Sequence, residues 1–244
     1  MKKLYIIMMA VFIAVSCSDD STNNAGMPGD GQGGSLAIFA LKGDYLYTVD
    51  HSYLNVFSLL NPQGPVKVNQ VQVGFDIETL FSDADNLYIG SRTGMYIYSV
   101  TNPEDPLYVG EAHHVTACDP VVSNGTHAFV TLHSNAGCGN TINALMIYDI
   151  ADPANPQLIN SRVLTQPKGM GLYSHYLVVC DDEIKIFDIT YPDYPHLVGS
   201  INKQCHDVII RGNQMFAIAD HAVYTYTLNE ANISSVTLNS EIVF

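Results

Sequence analysis

Residues 184–198, IKIFDITYPDYPHLV, decide the fold. They join a short apolar run to a polar step bracketed by two prolines, and then to a second apolar run. Three more segments align with them without gaps: LNVFSLLNPQGPVKV from Leu54, MYIYSVTNPEDPLYV from Met95 and LMIYDIADPANPQLI from Leu145. A fifth, VYTYTLNEANISSV from Val223, keeps the first run and loses both prolines. Phe57, Tyr98, Tyr148, Phe187 and Tyr226 then share one position. The leading prolines, Pro62, Pro103, Pro153 and Pro192, stand 41, 50 and 39 residues apart, and an extra loop in residues 134–141 accounts for the long interval. A repeat of about 40 residues sets the architecture before any local propensity does.

Each unit also has an upstream half, such as CDPVVSNGTHAFVTL before the third segment and HDVIIRGNQMFAIAD before the fifth. These read as two short strands around a polar turn. A unit is therefore four strands, A to D; in the third unit they fall at residues 118–122, 127–132, 145–150 and 157–162. In Asn102-Pro103-Glu104-Asp105, asparagine suits the first turn position and proline presets the next φ. The second proline opens strand D, where a missing N–H is tolerated only at an edge, so D is the outer strand. Strand C is apolar on both faces, with Met95 and Ile97 on one and Tyr96, Tyr98 and Val100 on the other. Such a sheet is covered on both sides. The expected fold is all-β: a five-bladed β-propeller of four-stranded antiparallel blades over residues 36–244.

The unit IKIFDITYPDYPHLVGS, preceded by GMGLYSHYLVVCDD, resembles the LVIVD repeat. The resemblance covers nearly the whole chain after the leader. It implies a bacterial propeller of a kind common in secreted lipoproteins, and carries no shared catalytic motif. The fifth unit departs from it by lacking the double proline, which leaves ring closure open; residues 241–244 are candidates to pair at an edge. Tryptophan-aspartate propellers do not fit a chain without tryptophan.

Ahead of the repeats, Lys2 and Lys3 precede an apolar run over residues 4–15 that is short for a membrane span. Ala14-Val15-Ser16-Cys17 resembles the lipobox of bacterial lipoproteins, although leucine is commoner where Ala14 stands. The resemblance implies a signal peptide over residues 1–16 and acylation of Cys17. Two or more acyl chains anchor a protein stably. Residues 17–35, polar and then glycine-rich, read as a tether with a mean reach of about 20–25 Å. Asp19-Asp20 either resembles the surface-export signal of some Gram-negative lipoproteins or is plain tether polarity. The expected address is the outer membrane, facing the periplasm or the cell surface.

Charge narrows the partners. Acids outnumber bases 24 to 10, and the net charge of -14 argues against nucleic acid, itself a polyanion. The expected partners are the membrane, through the anchor, and a protein or small molecule. Alignment of the units places Ala37, Glu78, Asp119, Lys168 and His206 at one level near the start of strand A, at the channel mouth. Glu78, Asp119, Lys168 and His206 are the candidate ligand-binding residues. Cys118 and Cys138, on the same face, are the expected disulfide; Cys180 and Cys205 either bridge or remain buried thiols. His113 and His114 match no standard zinc spacing, and Asp181-Asp182-Glu183 reads as a tight turn, so no metal or cofactor is assigned. Phosphate-loop, nucleophile-elbow and HExxH motifs are absent from the sequence. The reading is a lipid-anchored binding module and more a binder than an enzyme. Its alternatives are a propeller hydrolase or lyase using channel-mouth acids, with calcium as its candidate ion, and an accessory subunit of an outer-membrane assembly.

Overall fold

The computed structural model describes residues 34–114, 120–134 and 142–244. Among these residues, twenty strands form five antiparallel sheets, each of four strands taken consecutively from the chain. Blade 1 is β1 (Phe39–Lys42), β2 (Tyr45–Val49), β3 (Tyr53–Ser58) and β4 (Val66–Gln72). Blade 2 is β5 (Ile77–Asp83), β6 (Asn86–Ser91), β7 (Gly94–Ser99) and β8 (Leu107–His113). Blade 3 comprises β9 (Val121–Ser123), β10 (His127–Leu132), β11 (Ala144–Asp149) and β12 (Gln157–Val163). Blade 4 comprises β13 (Met170–Tyr173), β14 (Tyr176–Cys180), β15 (Ile184–Asp188) and β16 (His196–Ile201). Blade 5 closes the series with β17 (Asp207–Arg211), β18 (Gln214–Ile218), β19 (Ala222–Thr227) and β20 (Thr237–Val243). The protein is a five-bladed β-propeller, and residues 241–243 belong to the outer strand of the last blade.

The proline steps do what their chemistry requires. In blades 1 to 4 the residue before the first proline accepts a hydrogen bond from the N–H three residues on, as from Asp105 to Asn102 (3.2 Å) and from Tyr194 to Tyr191 (2.8 Å). The outer strand starts one residue after the second proline. Blade 5 reaches the same result by another route. A single 3-10 turn over Glu230–Asn232, capped by the Asn229 side chain on the Ala231 N–H, replaces the proline step. The shared aromatic position also has a structural meaning. Every C–D pair shifts register immediately before it, between Val56/Phe57, Ile97/Tyr98, Ile147/Tyr148, Ile186/Phe187 and Thr225/Tyr226. This β-bulge increases the local twist of each blade.

In blades 1 to 4 the outer-strand residue paired just before the register shift (Asn69, Gly110, Asn160, Gly199) meets the next blade. Asn69 donates to the Glu104 carbonyl (2.7 Å) and Asn160 to the Asp193 carbonyl (3.0 Å). In blade 2 the same position is Gly110, where a Cβ would lie 2.3 Å from the Pro153 carbonyl oxygen, so only glycine fits. Apolar faces complete the seams. Leu87, Ile89 and Tyr98 of blade 2 are buried against Tyr47, Leu54 and Val56 of blade 1. One cluster joins blades 2, 3 and 4 around Phe129, Tyr148 and Phe187, and another joins blades 4 and 5. Burial of each such side chain contributes about 1.5–3 kcal/mol.

The fifth seam differs. Among the described residues, no buried apolar cluster contains both blade 5 and blade 1. Leu46, Thr48 and Phe57 of blade 1 are only half-buried, at the positions that Leu87, Ile89 and Tyr98 fill in blade 2. Phe216, Ile218, Val223 and Thr225 present the matching half-exposed face of blade 5. What reaches across is the segment before β1. Ser35 is fully buried. Its hydroxyl donates to Asp207 Oδ1 (3.1 Å) and accepts from the Met170 N–H (2.7 Å), and the Leu36 N–H donates to Asp207 Oδ2 (3.2 Å). A Cβ on Gly34 or Gly169 would lie 2.0 or 2.1 Å from the Asp207 carboxylate, so both glycines permit this clasp. Gly34 and Ser35, read from the sequence as the end of the tether, are therefore packed into the propeller.

Candidate functional site

Between the inner strands of blades 2 to 5, Phe81, Val122, Met170, Leu172, Val208 and Ile210 line a void of about 30 Å³, room for one or two water molecules and too small for an organic ligand.

The mouth brings two of the four aligned residues together. Lys168 and His206 precede the inner strands of blades 4 and 5. Their backbones are locked side by side: the Gly169 N–H donates to the His206 carbonyl (2.7 Å), and the Lys168 N–H to the Cys180 carbonyl (2.7 Å). Lys168 Nζ then lies 3.2 Å from His206 Nδ1, and His206 Nε2 lies 2.5 Å from Asp220 Oδ1. An ammonium only donates, so Nδ1 accepts and Nε2 carries the proton toward Asp220. The His206 hydrogen bond holds the Asp220 carboxyl below the usual carboxylate range. Glu78 stands at the register shift near the start of β5, in blade 2. Asp119 lies outside the described residues, as do Cys17, Cys118 and Cys138 and hence the expected Cys118–Cys138 bridge.

Beside the Lys168–His206–Asp220 array lies a groove of about 480 Å³, whose walls include Lys203, His221 and Tyr224. Its size is that of a small-molecule site. Lys203 Nζ sits 4.4 Å above the Tyr224 ring and 3.8 Å from Glu241. A larger hollow of about 600 Å³, lined by Arg162 and Tyr194, lies at the outer edge of blades 3 and 4, away from the aligned ring.

The groove is firmly floored. Cys205, on its wall, is disulfide-bonded to Cys180, with Cα atoms 5.4 Å apart, so of the two alternatives the bridge is the one formed. The neighbouring Asp181 is fully buried on its side chain. It accepts from the Thr165 N–H (3.1 Å), the Gln166 N–H and Lys185 Nζ (2.5 Å), which ties the loop before β13 to the turn before β15. Asp182 also binds Lys185 (2.6 Å), so one ammonium is shared by two carboxylates of this acidic turn. Among the described residues, no three His, Cys, Asp or Glu side chains gather as a metal site.

Burial raises the Asp207 carboxyl to about 6, even though its oxygens accept from Leu36, Val208 and Ser35. Sequence reasoning did not single out Asp207, Asp220, Lys203, His221 or Tyr224. A signal for Asp220 existed, because an acid stands at the matching place of the B–C turn in blade 4, Asp182.

No protein-family model matches the chain, and no curated protein matches it by sequence. Solved structures do. The periplasmic gluconolactonase of Pseudomonas aeruginosa superposes with a TM-score of 0.63 at 11% identity, over 82% of this chain and 68% of that one. BamB from Moraxella catarrhalis gives 0.53 at 9% identity, over 82% and 55%. The complex of KlAtg21 with the coiled coil of AgAtg16 contains a chain that gives 0.54 at 9% identity, over 82% of both. At these identities the likeness is one of fold.

Proposed function

We propose that the protein is a lipid-anchored extracytoplasmic binding module. It is held by an acylated Cys17 and presents the channel mouth, with Glu78, Asp119, Lys168 and His206, to a protein or small-molecule partner. The observation that carries the reading is the convergence of Lys168 and His206, from consecutive blades, beside a groove of about 480 Å³. The Cys180–Cys205 disulfide supports an oxidising compartment. The propeller likeness to a periplasmic protein, and to one in complex with a coiled coil, is in keeping with that address and with a protein partner.

The test is photo-crosslinking of the full chain in its own membrane, from a probe at position 221 on the groove and from one at position 194 at the outer edge. A partner bound at the mouth crosslinks from 221, and Asp119→Ala and Lys168→Ala each weaken it by about 1–3 kcal/mol, as for lost charged hydrogen bonds. Crosslinks only from 194, or insensitive to both substitutions, would move the site to the blade edge.

A further inference from the structure

We propose that the hollow at the outer edge of blades 3 and 4 docks an acidic segment of a partner protein, with Arg162 as the anchor for its carboxylate. This edge is separate from the channel mouth, and what binds there does not bear on it. Arg162 breaks a pattern that the other four blades keep. It pairs with Leu145, the first residue of its aligned segment. Opposite the matching residues Leu54, Met95, Ile184 and Val223 stand Val71, Ala112, Ile201 and Ile242, all apolar. Val71, Ala112 and Ile201 belong to or pack against the apolar cluster shared with the next blade. An apolar side chain therefore suffices to seal a seam at this position, and blade 3 carries a cation instead.

The guanidinium is held ready. Nη1 donates to the Pro195 carbonyl (2.9 Å), and its central carbon lies 5.0 Å from the centre of the buried Phe187 ring. One of five N–H donors is so used, and the rest suit a carboxylate. Because the fork is already fixed, little rotamer freedom is lost on binding. Among the described residues no carboxylate meets Arg162, and no acid lines the hollow of about 600 Å³ on which it opens. The two internal segments outside the described residues bring none to it: residues 135–141 contain no acid, and Asp119 leads into β9, three strands from β12. His196 also lines the hollow but lies within reach of the Asp188 charge, which leaves Arg162 as the uncompensated cation. In a chain of net charge -14, this acid-free place favours negative charge locally. The rest of the lining favours a peptide over a small anion. Val163 is 83% exposed and Tyr194 67%, and Leu197 is exposed beside them. Tyr194 is fixed by its turn bond to the Tyr191 carbonyl (2.8 Å) and by an edge contact with the His196 ring (4.8 Å between centres). An arginine and a rigid tyrosine among apolar side chains are the residues that anchor protein interfaces. The segment that fits carries an acid beside apolar residues.

Panning a phage-displayed library of random dodecapeptides on the full chain tests the proposal, with the selected peptides then synthesised and titrated at fixed ionic strength. They should be enriched in Asp or Glu beside apolar residues, and in NMR they should shift the amides of Arg162, Val163, His196 and Leu197. Arg162→Ile gives blade 3 the residue that blade 4 carries, so the fold should hold while affinity falls about tenfold or more. Tyr194→Ser, at an exposed position, should also weaken binding, and Lys168→Met should not. Replacing the acid of the peptide by its amide should abolish the difference between wild type and Arg162→Ile. Selected peptides without acidic enrichment, affinities unchanged in both Arg162→Ile and Tyr194→Ser, or shifts confined to Lys168 and His206 overturn the proposal. The last result would leave the channel mouth as a binding surface and remove the edge.

Discussion

Removing the bridge between Cys180 and Cys205 should destabilise the propeller by an amount the structure fixes. The two cysteines are 25 residues apart, joining the end of β14 to the residues before β17. Closing a loop of that length removes about 12 cal/mol/K from the unfolded ensemble, or about 3.5 kcal/mol at 25 °C. In the double variant Cys180→Ala/Cys205→Ala, two buried sulfurs also leave a cavity, which adds on the order of 1 kcal/mol. The sum corresponds to a fall in Tm of roughly 10–15 °C for a domain of this size. Urea unfolding of the double variant against the oxidised wild type measures it, and alkylation with mass analysis verifies the redox state. A double variant within 1 kcal/mol of the wild type would refute the loop-closure argument. Adding reductant to the same variant isolates Cys118 and Cys138: if they pair, a further loss of about 3 kcal/mol follows.

Other outcomes follow from buried and terminal groups. Asp207 sits at about 6 in the folded protein against an ordinary 3.8, so its contribution is complete below pH 3.8 and is lost as pH rises through 6. At 1.36 kcal/mol per pH unit the full loss is about 3 kcal/mol, of which about 2.4 kcal/mol falls between pH 4 and pH 7. Asp207→Asn should flatten that part of the stability–pH curve, and equal slopes in both proteins would show that another group is responsible. Phe129→Ala, at a fully buried position joining the middle blades, should cost about 3–5 kcal/mol by chemical denaturation; a loss below 1 kcal/mol would mean that those seams do not limit stability. Cys17→Ser should abolish labelling by a palmitate analogue and release the protein from membranes, and continued membrane partitioning would rule out the lipid anchor.

The fold was legible because its determinants are local and repeated. The pairs from Pro62/Pro65 to Pro192/Pro195 mark four C–D turns, and the aligned aromatics mark the register shifts beside them. Blade 5 was legible only in part. Its prolines are gone, and the 3-10 turn that replaces them rests on the Asn229 cap, a single short-range signal. The inner ring was legible as a level: alignment put Lys168 and His206 at equivalent positions, and the backbone bonds at Gly169 place them side by side. Their third partner was not, because Asp220 comes from a turn whose side chain alignment cannot aim. Ser35 was read as tether, since nothing in GGS announces burial. Its place depends on Asp207, 172 residues away, and on two glycines that leave room for a carboxylate.

The unsealed fifth seam changes how the molecule should come apart. A circle of identical joints has no weakest point; a row of blades with four apolar joints and one polar clasp has two ends. In such a row each blade is stabilised by its own strands and its immediate neighbours. Unfolding then proceeds inward from blades 1 and 5, and amide exchange should be slowest in β10 and β14 and fastest in β1, β4 and β20. The clasp of Ser35 on Asp207 is what delays that unzipping. Because it lies beside the mouth, the groove at Lys168 and His206 is formed by blades 4 and 5, one of which is an end of the row. A ligand held there would bind across the joint between them and brace the less secure end of the molecule, so occupancy should slow exchange in β17 and β18 well before it alters blade 2.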